Sequence, residues 1–174
     1  MRRSIPLWQV IGFACVSLGG TLLHFLYEWT GESPVAALIS AVNESTWEHM
    51  KLLFVPMVLF AWVQRLLFPE QEVFWRVKTV GILCGLLLIP AIFYTANGGF
   101  GKTPDWMNIS IFFVSAALAF LLEWWLFRLQ MFAGKKSWVP LVVLMGITAL
   151  FVYFTFSPPH LPLFRDPVTG GYGT

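Results

Sequence analysis

Residues 43–63 read NESTWEHMKLLFVPMVLFAWV: two carboxylates and an imidazole, followed at once by an apolar run. From Leu52 to Gln64 nothing is charged, and the apolar side chains recur all the way round a helix rather than at alternate positions. A helix satisfies its own backbone in lipid, so such a segment is read as a membrane span. Four other stretches share this character, and the predicted spans are 6–27, 49–68, 79–96, 109–127 and 138–157. Each is close to the roughly 20 residues that cross about 30 Å of hydrocarbon. Lys51 and Arg65 flank the charge-free core of the second span and are expected to snorkel outward. The period-two alternation of a membrane β-barrel is absent.

Composition agrees. Of 174 residues, 57% are hydrophobic, 17% aromatic and only 11% charged, with a mean hydropathy of +0.72. A soluble domain carries about 25% charged residues. The expected fold is therefore all-α: a polytopic membrane helix bundle of about five transmembrane helices, forming one domain over residues 1–157. Residues 158–174 form a C-terminal tail. A net charge of +2 gives no basic footprint for nucleic acid, so the bilayer is the partner that composition implies.

Lys and Arg set the orientation. With a cytoplasmic N-terminus, the inner side receives Arg2, Arg3, Arg65, Arg76, Lys78, Arg128, Lys135 and Lys136, and the outer side Lys51, Lys102 and Arg165. That asymmetry predicts the N-terminus inside and the C-terminus, with its tail, extracytoplasmic. The Met-Arg-Arg start resembles a signal peptide, but without a small-x-small cleavage site it reads as a retained first helix. Cys15 and Cys84 lie in different spans with no C-x-x-C spacing, which indicates neither a redox pair nor a metal framework.

This topology puts His24, His49 and His160 on the outer side, with Glu28, Glu32, Glu44, Glu48, Asp105 and Asp166. On the first helix Ser17, Thr21, His24 and Glu28 fall within about 60° of one another, a polar stripe that must face protein or a wet cavity. NESTWEH then has two compatible readings. Ser45 and Glu48 form a capping box opening the second helix, and Asn43 closes a short helix before it. Alternatively, Glu44, Glu48 and His49 converge with His24 and Glu28 into an oxygen- and nitrogen-rich cluster suited to a divalent cation or to acid/base work. Before it, ESPVAALISAVN predicts an interfacial or re-entrant helix over 34–42, with Ser33 as cap and Pro34 at its first position.

Three motifs, HFLYEW (24–29), NESTWEHMKL (43–52) and PLFRDPVTGGYG (162–173), resemble a group of small bacterial multi-pass membrane proteins known as a domain of unknown function. The NES-x-WEH-x-K signature is the most specific part. The resemblance implies a bacterial cell-membrane location and about five helices, and it supplies no activity or cofactor.

Known catalytic patterns do not match: there is no H-E-x-x-H and no G-x-S-x-G. Glu123, deep in the fourth span, is expected to answer Arg128 or Arg65; the alternative is a proton or cation relay residue. Pro56 and Pro90 are expected to kink their helices, and NGGFGKTPDWM (97–107) reads as a turn. His160 sits in a proline-stiffened tail, either as part of a lid or as a solvated residue. Two functions remain. The first is a non-enzymatic binding or structural membrane module, whose polar cluster (Asn43, Glu44, Ser45 and Trp47 with the histidines) locks helices or holds a ligand. The alternative is a metal-dependent intramembrane hydrolase acting on a lipid or peptide. In it His24, His49 and His160 would ligate a divalent metal such as zinc, with Glu48 or Glu28 as ligand or general base.

Overall fold

The computed structural model describes residues 5–67, 73–132 and 137–174. Among these residues six α-helices run in chain order: α1 (Ile5–Trp29), α2 (Pro34–Ala37), α3 (Thr46–Leu67), α4 (Phe74–Phe100), α5 (Asp105–Leu129) and α6 (Val139–Phe156). All except α2 are long and apolar enough to cross a membrane. Phe68, at the end of the second expected span, lies outside the described residues, as do Arg2, Arg3, Lys135 and Lys136.

The spans follow the expected order and differ at their ends. α4 starts earlier than residue 79 and runs past residue 96. It takes in Arg76 and Lys78, and Lys78 is tolerated there because it is paired with Glu123. Both α3 and α4 continue through their prolines, Pro56 and Pro90. The helix expected over 34–42 shrinks to one turn. Ala36 O still accepts from Ser40 N (2.9 Å) as well as from Ser40 Oγ (2.7 Å), but the next carbonyl, Ala37 O, is taken by Lys51 Nζ (2.8 Å) in place of a further helical bond. Ala36, Ala37, Ser40 and Ala41 are buried there, while Val35, Leu38 and Ile39 stay exposed.

α1, α3, α4 and α5 close a ring in which each packs on the next, and α6 lies against α4. The ring is filled by Phe54, Met57, Phe60, Ile82, Leu86, Ile89 and Phe120. Small residues allow the approach: a Cβ at Gly12 would sit 2.6 Å from the rings of both Phe60 and Phe120, and Phe112 fills the space beside Gly20. The outward faces carry Leu7, Val10, Leu18, Leu59, Leu87, Leu121 and Met145, all exposed. So much apolar surface suits hydrocarbon rather than water.

Two ion pairs depart from the expected arrangement. Lys51 does not snorkel outward: its side chain is fully buried, with Nζ 2.6 Å from Glu48 Oε2. Glu123 answers neither Arg128 nor Arg65. Its partner is Lys78, at 2.5 Å, because α4 packs closely on α5 and Gly81 leaves room that a Cβ would take from the Glu123 side chain.

The tail is part of the bundle. Phe164, in a short 3-10 turn at Pro162–Phe164, is buried against Trp47 (centroids 4.8 Å apart) and Phe154 (5.2 Å). Asn43 Nδ2 donates to Gly173 O at 2.9 Å, which ties the last residues to the start of α3.

Candidate metal centre

The residues of NESTWEH separate into two groups at the head of α3. One group points inward and is closed. Asn43 Oδ1 accepts from Ser45 N (2.9 Å), and Ser45 Oγ accepts from Glu48 N (3.4 Å), which is half of the expected capping box. The Glu48 carboxylate does not return to Ser45. Its Oε2 accepts from Val42 N (3.2 Å) and pairs with Lys51, while Oε1 lies 3.1 Å from Thr155 Oγ1. Lys51 Nζ spends its protons on Glu48, Ala37 O and Thr155 Oγ1, the last at 2.9 Å. A buried charge in an apolar bundle is stable only when answered in this way.

The other group points outward and is open. Glu44 Oε1 lies 3.6 Å from His24 Nε2, and its Oε2 lies 3.5 Å from His49 Nε2. The two imidazole centroids are 5.5 Å apart, and one ligand atom from each of the three residues fits within 4.8 Å of the others. His49 Nδ1 is 3.0 Å from Ser45 O. A carbonyl only accepts, so Nδ1 carries the proton, and in the neutral ring Nε2 keeps a lone pair that a metal ion beside Glu44 could take. This is the backbone partner that fixes the tautomer of a metal-binding histidine. Around a tetrahedral zinc ion, with bonds of about 2.0–2.1 Å, neighbouring donors are about 3.3–3.4 Å apart. The two histidine–glutamate distances, one to each carboxylate oxygen, are within a few tenths of an ångström of that spacing, and the set with one atom per residue spans up to 4.8 Å.

The group lines a cavity of about 530 Å³ between α1, α3, α4 and α5. Its walls are Leu52, Ile89, Phe93, Ile109 and Phe112, and its polar rim includes Lys102, Asp105 and Asn108. The volume is in the range of small-molecule sites, and apolar walls with a few convergent polar groups are their usual make-up.

A model of the family of unknown function DUF6512 matches residues 2–174. The chain belongs to that family. No curated protein and no solved structure matches it. The three motifs quoted above lie inside the matched span, and DUF6512 membership brings no activity with it.

In this DUF6512 chain the other expected site residues lie elsewhere. Glu48 belongs to the closed network and is not among the converging ligands. Glu28, on the predicted stripe of α1, is exposed and outside the group. His160 stacks on Tyr172 at 4.6 Å and is likewise outside it. Trp47 packs between Phe151 (4.6 Å) and Phe164, as an anchor for α6 and the tail.

Sequence reasoning missed several residues. Thr155 and Ala37 complete the Lys51 network from distant parts of the chain. The 97–107 stretch is more than a turn: Asn97 Oδ1 accepts from Thr103 N (3.1 Å) and Thr103 Oγ1 donates to Asn108 Oδ1 (2.8 Å). Asn97, Lys102, Thr103, Asp105 and Asn108 all line the cavity, with Pro167 and Val168 of the tail. The polar residues crowded into residues 97–108 were the available signal.

Proposed function

We propose that this membrane protein binds one divalent transition-metal ion through His24, Glu44 and His49, and offers the ion's open coordination position to an amphiphilic ligand held in the cavity. The observation that carries the reading is Glu44 bridging two imidazole Nε2 atoms at 3.5 and 3.6 Å on the wall of that cavity. Imidazole nitrogens with one carboxylate suit zinc, and a three-ligand site leaves one position for an exogenous group. Apolar walls below and the polar rim of Lys102, Asp105 and Asn108 favour a ligand with an acyl-like body and an oxygen-bearing head that reaches the ion.

In this reading the protein sits in a bacterial cell membrane, with its N-terminus cytoplasmic and the metal centre at the extracytoplasmic face. Lys51 and Lys78 are buried in ion pairs and drop out of the orientation count. Among the described residues Arg65, Arg76 and Arg128 then stand at one end, against Lys102 and Arg165 at the other, which keeps the same sign.

Cobalt titration of the purified full chain tests the metal. Its d–d absorption should saturate at one ion per chain and vanish in His24→Ala and in His49→Ala. A featureless spectrum in the wild type refutes the site.

The same open position favours a second reading, hydrolysis of a lipid or peptide. Zinc with three protein ligands lowers the pKa of bound water to about 7. Glu48 is locked to Lys51 and Glu44 is taken up as a ligand, so the role of general base would pass to Asp105 at the cavity wall. Turnover of ester-linked lipids by the zinc-loaded protein, lost in His49→Ala, would select this reading over binding alone.

A further inference from the structure

Seven buried side-chain nitrogen or oxygen atoms have no hydrogen-bond partner among the described residues, and six of them sit on α1, α3 and α5 away from the metal centre. Four of those six share one level. Gly12 of α1 meets both Phe120 of α5 and Phe60 of α3, and Gly20 meets Phe112, so α1 and α5 run antiparallel in a fixed register. One turn from the Gly12 crossing, toward the same end of the bundle, stand Gln9 on α1, Gln64 on α3 and Glu123 on α5. Lys78 of α4 joins them: its Nζ pairs with Glu123 Oε2 and lies 5.3 Å and 5.6 Å from the ring centroids of Phe120 and Phe60.

These four polar residues, one from each helix of the ring, are no more than 5% exposed. Gln9 Oε1, Gln64 Oε1 and Glu123 Oε1 lack a donor, and Gln9 Nε2 lacks an acceptor. Inside an apolar bundle such atoms are costly, and native structures answer them with ordered water or a ligand. Lys78 and Glu123 cancel each other's charge, so these atoms call for a neutral partner. It must donate to three oxygens and accept from one nitrogen. Water does both, and because one molecule has two protons, three acceptors need more than one.

We infer that the Gln9–Gln64–Lys78–Glu123 layer is a built site for ordered water, buried in the bundle beside the Phe60 and Phe120 rings. The water hydrates the ion pair and gives the Glu123 carboxylate a proton-exchange partner inside the membrane-spanning part of the fold. The inference does not depend on the metal reading.

Hydroxyl-radical footprinting by X-ray radiolysis tests it, with the full chain in lipid nanodiscs. Radicals generated from bound water oxidise adjacent side chains even where bulk solvent has no access. Phe60 and Phe120 should therefore be labelled several-fold more than Phe54, which is as buried as Phe120 but packs on Phe151. In the Gln9→Leu/Gln64→Leu double variant the labelling should fall to the Phe54 level and Tm should drop. Equal labelling of the three rings in the wild type overturns the inference, and that comparison needs no variant. Labelling that persists in the double variant also overturns it. So does a raised Tm, because a dry layer gains stability when unpaired amides are removed.

Discussion

Glu48 is 2% exposed and is held by Val42, Lys51 and Thr155, whereas Glu44, four residues earlier, has a side chain 45% exposed and faces two imidazoles. The difference comes from where α3 begins. Glu48 lies in its first turn and faces α6. Glu44 lies before the helix, so its carboxylate is free to swing toward α1 and His24. The closed carboxylate meets its demands inside the protein and has nothing to offer a ligand. The open one has donor capacity left over and a cavity beside it. In a lipid-embedded chain, where each unanswered polar group is costly, such leftover capacity is the better guide to a binding site.

The comparison can be broken from the closed side first. Lys51→Met leaves the Glu48 carboxylate buried without its cation and should cost about 3–5 kcal/mol, read from denaturant unfolding in detergent. Adding Glu48→Leu to that variant should restore most of the loss, because well-packed apolar residues can replace a buried pair at little cost. From the open side, zinc at about 100 times its Kd should stabilise the wild type by about 2.7 kcal/mol and leave Glu44→Gln unchanged. Thr155→Val keeps the shape but leaves Lys51 and Glu48 each one partner short; about 1–3 kcal/mol is expected in the same assay. Smallest is Glu44→Gln without metal. An exposed pair is worth under about 1 kcal/mol, so its melting curve should nearly overlay the wild type. A large loss there would mean that Glu44, too, is a structural staple.

The fold was legible because it follows from composition and run length, which need no partner. Five apolar stretches of near-spanning length leave little choice but a helical membrane bundle. His24 and His49 were legible as well, since a polar stripe on α1 and a charged helix start mark one end of the bundle. What failed was helical spacing applied outside a helix. The expected convergence of Glu44 with Glu48 needs both on one helix, but Glu44 precedes Thr46, where α3 begins, so the one-turn rule does not reach it. Long-range partners could not be read from sequence either. Glu48 is three residues from Lys51, but Thr155 is 104 residues away, and Lys78 is 45 from Glu123; only packing brings these together. His160 had the right chemistry, but the tail turns it toward Tyr172.

Elemental analysis of the full chain, purified after growth with zinc and washed free of loose ions, tests the central claim most directly, alongside a His24→Ala/His49→Ala variant of equal stability. The account predicts close to one zinc per wild-type chain and none in the variant. A metal-free wild type, or equal metal in both, would contradict it and leave His24, Glu44 and His49 as a polar contact between α1 and the start of α3.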